Sequence, residues 1–148
     1  MTKERSPAVL PARKVIGGRA EGKALVTAHQ LTFWGGIDPA TAVIIEAQHE
    51  LCGQAVTGKV LVFPRGAGSS SGCGVLMEML RRGNNPAAVI NIETEAVLAL
   101  GPIIAQELYG RSFPIVTLKP AHFTILRTGD GVIVDADAGK VLVERGGG

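Results

Sequence analysis

The residues best suited to chemistry lie in one stretch, Phe63-Pro64-Arg65-Gly66-Ala67-Gly68-Ser69-Ser70-Ser71-Gly72-Cys73-Gly74. It sets three hydroxyls and a guanidinium among glycines. A serine is a strong base only once ionised. Ionisation costs less where oriented N–H groups and a guanidinium face the oxygen. The same groups could hold a carboxylate or a phosphate. Equally, the serines could do no more than cap and turn. On spacing alone the two readings stand level.

Four familiar loops fail against this stretch. A P-loop needs Gly, four residues and Gly-Lys-Ser/Thr, but no lysine is present here. In a dinucleotide fingerprint Gly66 and Gly68 would fit, yet the third glycine position is Ser71. Gly68-Ser69-Ser70-Ser71-Gly72 satisfies the Gly-x-Ser-x-Gly of a nucleophile elbow. That elbow follows its strand at once and is followed by an acid, then a histidine. Here Pro64 to Gly68 intervene, and the last histidine, His122, precedes Asp130, Asp135 and Asp137. A phosphohistidine carrier needs a histidine beside its glycines, and His49 and His122 are the nearest. Metal-ligand spacing is missing too: His29, His49 and His122 are scattered, and Cys52 and Cys73 share no short interval. Cys73 reads as a small apolar side chain in preference to an activated thiol.

The flanking elements explain how such a loop would be held. Lys59 to Phe63 is a short, branched, apolar run, a buried strand. Cys73, Leu76, Met77 and Leu80 recur at helical spacing, predicting a helix over about 72–82 that Ser70 or Ser71 could cap. Arg81 and Arg82 close it, Gly83 supplies a left-handed exit and Pro86 forbids continuation. A strand over 88–92, a helical piece within 95–108 and a strand over 114–118 follow. This alternation implies parallel pairing with right-handed crossovers. Gly101-Pro102 predicts a kink or two short pieces.

Around this βαβαβ centre the expectations are less regular. Val15-Ile16 and Lys23 to Val26 read as strands about a Gly17-Gly18 turn, and Ala42 to Ile45 as another. Phe123 to Leu126, Val132 to Val134 and Val141 to Val143 read as strands, the last two joined by a hairpin at Asp137-Ala138-Gly139. Leu31 to Pro39 is a loop whose Trp34 either covers its own core or meets a partner. Residues 1–12 are expected to be a loose tail, 13–145 a single domain and 146–148 a flexible end. The fold class is α/β, with antiparallel strands flanking the parallel centre and helices on one side.

Composition narrows the function. At 148 residues the chain can bury a core but falls below the usual size of an enzyme with its own pocket. Glycine, 20 of 148 and about twice its usual ~7% share, implies tight turns and close backbone approaches. A net charge of +2 and an aromatic share of 4% argue against nucleic acid. No apolar run suits a membrane span or a signal peptide, so a soluble cytoplasmic protein with reduced thiols is expected.

At its central loop the sequence resembles the small, swivelling component of the aconitase X dehydratases. Phe63 to Ser69 resembles that family's Phe-Pro-x-Gly-x-Gly-Ser signature, and Asn91-Ile92-Glu93-Thr94-Glu95 and Gly35-Gly36-Ile37-Asp38-Pro39 continue the likeness, which runs from Val15 to Val143. The resemblance implies a swivelling β/β/α fold that closes over a larger catalytic subunit. That subunit would carry an iron or iron–sulfur centre, with none held by this chain. It implies Ser69 as the base of a dehydration, with Arg65, Gly66, Gly68 and Ser70 binding a small hydroxy-acid substrate. Where archaeal relatives tend to have a histidine and a lysine, this loop has Arg65-Gly66-Ala67. Fewer basic groups favour cis-3-hydroxy-L-proline as substrate over phosphomevalonate. A non-catalytic module that binds an anion and a protein is the competing expectation. Glu93 and Glu95 could line a closed cleft or simply start a helix.

Overall fold

The computed structural model describes residues 8–33, 35–67 and 71–145. In chain order the elements are β1 (Ala8–Pro11), β2 (Arg13–Ile16), β3 (Arg19–Val26), β4 (Leu31–Thr32), β5 (Ile37–Asp38), β6 (Val43–Ile44), β7 (Val60–Val62), β8 (Gly66–Ala67), α1 (Ser71–Arg82), β9 (Ala88–Asn91), α2 (Ala96–Tyr109), β10 (Ile115–Thr117), α3 (Pro120–Phe123), β11 (Gly131–Asp135) and β12 (Lys140–Glu144). Eight strands form one sheet in the order β1-β12-β11-β3-β7-β9-β10-β2. β3, β7, β9 and β10 run parallel; the strands at either end are antiparallel to their neighbours.

Alternation along the strands assigns the layers. Leu61, Val89 and Ile115 face a core shared with Leu76, Met79 and Leu80 of α1 and Leu98 and Ala105 of α2. Their neighbours Val60, Val62, Ala88, Ile90 and Val116 face a second core with Val132 and Val134 of β11 and Val141 and Val143 of β12. Val60-Leu61-Val62, Ala88-Val89-Ile90 and Ile115-Val116 of the parallel strands are apolar at successive positions because both faces are covered. β11 and β12 alternate instead, with Ile133 and Leu142 on their more open face. The result is helices, central sheet and antiparallel layer: β/β/α. The two long helices share one side, and α3, a single turn, gives Phe123 to the opposite core.

The structure departs from sequence expectation at four places. Residues 8–11 are no tail: β1 pairs with β12 and buries Leu10, so pairing outweighs the polar, proline-rich composition around it. β2 and β3 flank Gly17-Gly18 but part there, β2 going to the far edge beside β10. Phe123 to Leu126 is not a strand. Pro120 opens α3 at its first turn, and Phe123 and Leu126 reach the core at helical spacing. Finally, α2 passes through Gly101-Pro102 as one helix. A Cβ at Gly101 would lie 3.0 Å from Leu76 Cβ and 3.1 Å from the Cys73 carbonyl oxygen, so this glycine lets α1 and α2 touch.

Candidate functional site

Four parallel strands end on one edge, and the loops that leave them interlock there. The Phe63 N–H, leaving β7, donates to the Ile90 carbonyl (3.1 Å). The Pro64 carbonyl accepts from the Ile92 and Glu93 N–H groups (3.0 and 3.2 Å), which leave β9. Asn91, fully buried, donates from Nδ2 to the Phe63 carbonyl (2.9 Å) and accepts the Thr94 hydroxyl on Oδ1 (3.0 Å). A buried amide satisfied on both sides fixes one loop against the other.

A second clasp comes from the residues after β3. The Thr27 N–H donates to the Val62 carbonyl (2.9 Å) and the Leu31 N–H to the Arg65 carbonyl (3.3 Å). β4 then runs parallel to β8, Leu31 opposite Gly66 and Thr32 opposite Ala67. Phe33 meets Phe63 edge to face, centroids 5.7 Å apart. The glycine–serine stretch thus emerges from a backbone held on two sides.

Of the predicted site residues, Arg65 and Gly66 stand on this edge. Gly68, Ser69 and Ser70, like Trp34, lie outside the described residues. Ser69 is two residues from the end of β8 and two from the start of α1. No acidic residue occupies the first turn of α1, so nothing in that turn offsets the helix's positive end. Arg65 Nη2 lies 3.5 Å from Glu93 Oε1, with the side chains 49% and 66% exposed. So open an ion pair is worth about 0–1 kcal/mol and gives way readily. A Cβ on Gly66 would lie 3.3 Å from Glu95 Oε1, which places a second carboxylate at the loop.

Cys73 is half-buried, its Sγ 3.9 Å from Met77 Sδ. The buried stripe of α1 is Val75, Leu76, Met79 and Leu80, with Cys73 and Met77 at its margin. Among the described residues no group of three or more histidine, cysteine or acidic side chains could hold a metal ion. Among them, too, no helix is long and apolar enough to cross a membrane.

Sequence reasoning gave Asn91, Thr27 and His49 no part in holding this edge. Asn91 left a signal, a lone amide closing the apolar run Ala88-Val89-Ile90. Thr27 and His49 left none, because the partners that tie them to this edge, Glu50 and Gln30, are distant in the chain.

Fold and edge together define a swivelling β/β/α domain with a glycine–serine loop at the carboxyl ends of its parallel strands. The chain belongs to the aconitase X swivel domain family, whose model matches residues 9–143. It is 38% identical over 137 residues to the phosphomevalonate dehydratase small subunit of Methanothrix thermoacetophila, covering 93% of this chain and 96% of that one. It is 43% identical over 106 residues to the cis-3-hydroxy-L-proline dehydratase of Pseudomonas aeruginosa, 72% of this chain but 18% of that protein. The crystal structure of Thermococcus kodakaraensis aconitase X in its holo-form superposes with a TM-score of 0.83 at 38% identity, over 92% of this chain and 98% of that one.

Proposed function

We propose that this chain is the small subunit of an aconitase-X-type hydro-lyase and completes an active site on a larger subunit. The observation that carries the reading is the position of the glycine–serine loop. It springs from β8, clasped between two strand exits, and leads into α1 at the edge where open α/β sheets bind ligands. Dehydration breaks a C–H and a C–O bond on neighbouring carbons, forms a double bond and releases water. A base must take the proton. Ser69 is that base, and the N-terminus of α1 and Arg65 favour its ionised form. Gly66, Gly68 and Ser70 let backbone and hydroxyl approach the substrate, and Arg65 can turn from Glu93 to a substrate carboxylate. The iron or iron–sulfur centre implied by the family resemblance belongs to the larger subunit. Relatives named as dehydratases favour this catalytic reading over a binding-only module.

For the substrate, the relatives matched along nearly their full length support phosphomevalonate, against the hydroxyproline that loop composition favours. A hollow of about 470 Å³ on the same edge, with Arg13, Ile92 and Lys119 in its lining, offers cationic groups for a phosphate. One observation favours cis-3-hydroxy-L-proline: Glu93 and Glu95 beside Arg65 suit a substrate carrying an ammonium better than a phosphate. Co-expression with the larger subunit, then assay of both substrates, tests the reading. Dehydration of either by the complex and of neither by the isolated chain is expected. A complex inert toward both would contradict it.

A further inference from the structure

We propose that His49 is a positioning residue, setting β8 and through it the serine-bearing loop by fixing the strap of residues 27–33. β4 and β8 are two residues each, too short a ladder to hold its own place. Something else must therefore fix the strap, and the turn that follows β6 does so at two points. His49 Nε2 lies 3.0 Å from the Gln30 carbonyl oxygen, and His49 Nδ1 accepts the Leu51 N–H at 3.0 Å. An Nδ1 that accepts leaves the proton on Nε2, which donates to Gln30, so the two bonds select one neutral tautomer. The residue is only 8% exposed, so water competes poorly for either bond. The second point is Glu50, which accepts the Thr27 hydroxyl; Thr27 Oγ1 in turn accepts the His29 N–H at 3.1 Å. One residue beyond Gln30 stands Leu31, bonded to the Arg65 carbonyl and opposite Gly66. A proton on His49 Nε2 is thus linked to the backbone of the loop through three residues.

The inference rests on the reading of Ser69 as the base, and two variants separate one from the other. His49→Gln keeps a donor at the reach of Nε2; His49→Asn keeps only the acceptor for Leu51. In the complex with the larger subunit, His49→Asn should lower kcat by about tenfold or more with KM little changed, since a slightly misplaced catalytic group is costly. His49→Gln should retain most of the turnover. In the full chain alone, Leu31 amide exchange should quicken about tenfold in His49→Asn and stay near the parent rate in His49→Gln. A Leu31 amide unchanged in His49→Asn overturns the proposal whatever the turnover. Faster exchange with kcat unaltered upholds the link from His49 to β8 and counts against Ser69 as the base. Where His49→Asn fails to fold, imidazole nitrogen shifts of the parent chain decide. A proton on Nε2 upholds the proposal and a proton on Nδ1 overturns it.

Discussion

Arg65 and Glu93 face each other across two strand exits with much of both side chains in water, so their pairing contributes little to the fold. Its value lies in holding a guanidinium near the loop while leaving it free to turn. Arg65→Ala should lower the unfolding free energy by no more than about 1 kcal/mol, while KM in the reconstituted enzyme rises. Thermal melts and steady-state kinetics on one preparation check both. Asn91 is the opposite case. Replacing it by Ala strands the Phe63 carbonyl and the Thr94 hydroxyl, which should cost about 1–3 kcal/mol in a denaturant titration. A loss near zero would mean that the two exits hold without it.

At the scale of elements, Gly36 is where the backbone leaves least room. A Cβ there would lie 2.0 Å from the Thr32 carbonyl oxygen, in a turn that cannot yield as a long side chain could. Gly36→Ala should destabilise by about 1–3 kcal/mol, read from the denaturation midpoint. The end of α1 has a pH signature. Glu78 is held by hydrogen bonds from Arg81 and then Arg82, which bring its carboxyl from an ordinary 4.5 down to about 2. A carboxylate depressed on folding stabilises above its unfolded pKa, and that contribution is lost as pH falls through the folded value. Glu78→Gln should therefore narrow the stability difference between pH 6 and acid only below about 4.5, in a solvent-screened and small amount. Parallel strands and long helices were legible because both-face burial leaves continuous apolar runs and α1 repeats at helical spacing. Strand partners were not: β1 reads as a tail until β12 is beside it, and Gly101-Pro102 reads as a break until Leu76 is seen against it. The site divided the same way. Arg65 stands out from local chemistry and Gly66 from the family resemblance, whereas the His49–Gln30 and Thr27–Glu50 contacts join residues far apart in the chain.

For the whole molecule, the two cores assign the work. One packs helices beneath the parallel sheet, the other closes the sheet's second face with β11 and β12. Both brace a single edge, where the strand exits, the strap and the start of α1 converge on the glycine–serine stretch. On the proposed reading Ser69 is the base at this edge, and among the described residues no group of three or more histidine, cysteine or acidic side chains could hold a metal. Turnover should accordingly appear only when a larger subunit is added, and should saturate with it. The most direct measurement is turnover of Ser69→Ala in the assembled complex, with co-purification confirming assembly. Loss of a general base should lower kcat by about 10²-fold or more while the complex stays intact. An intact complex that dehydrates its substrate at the parent rate would contradict the account.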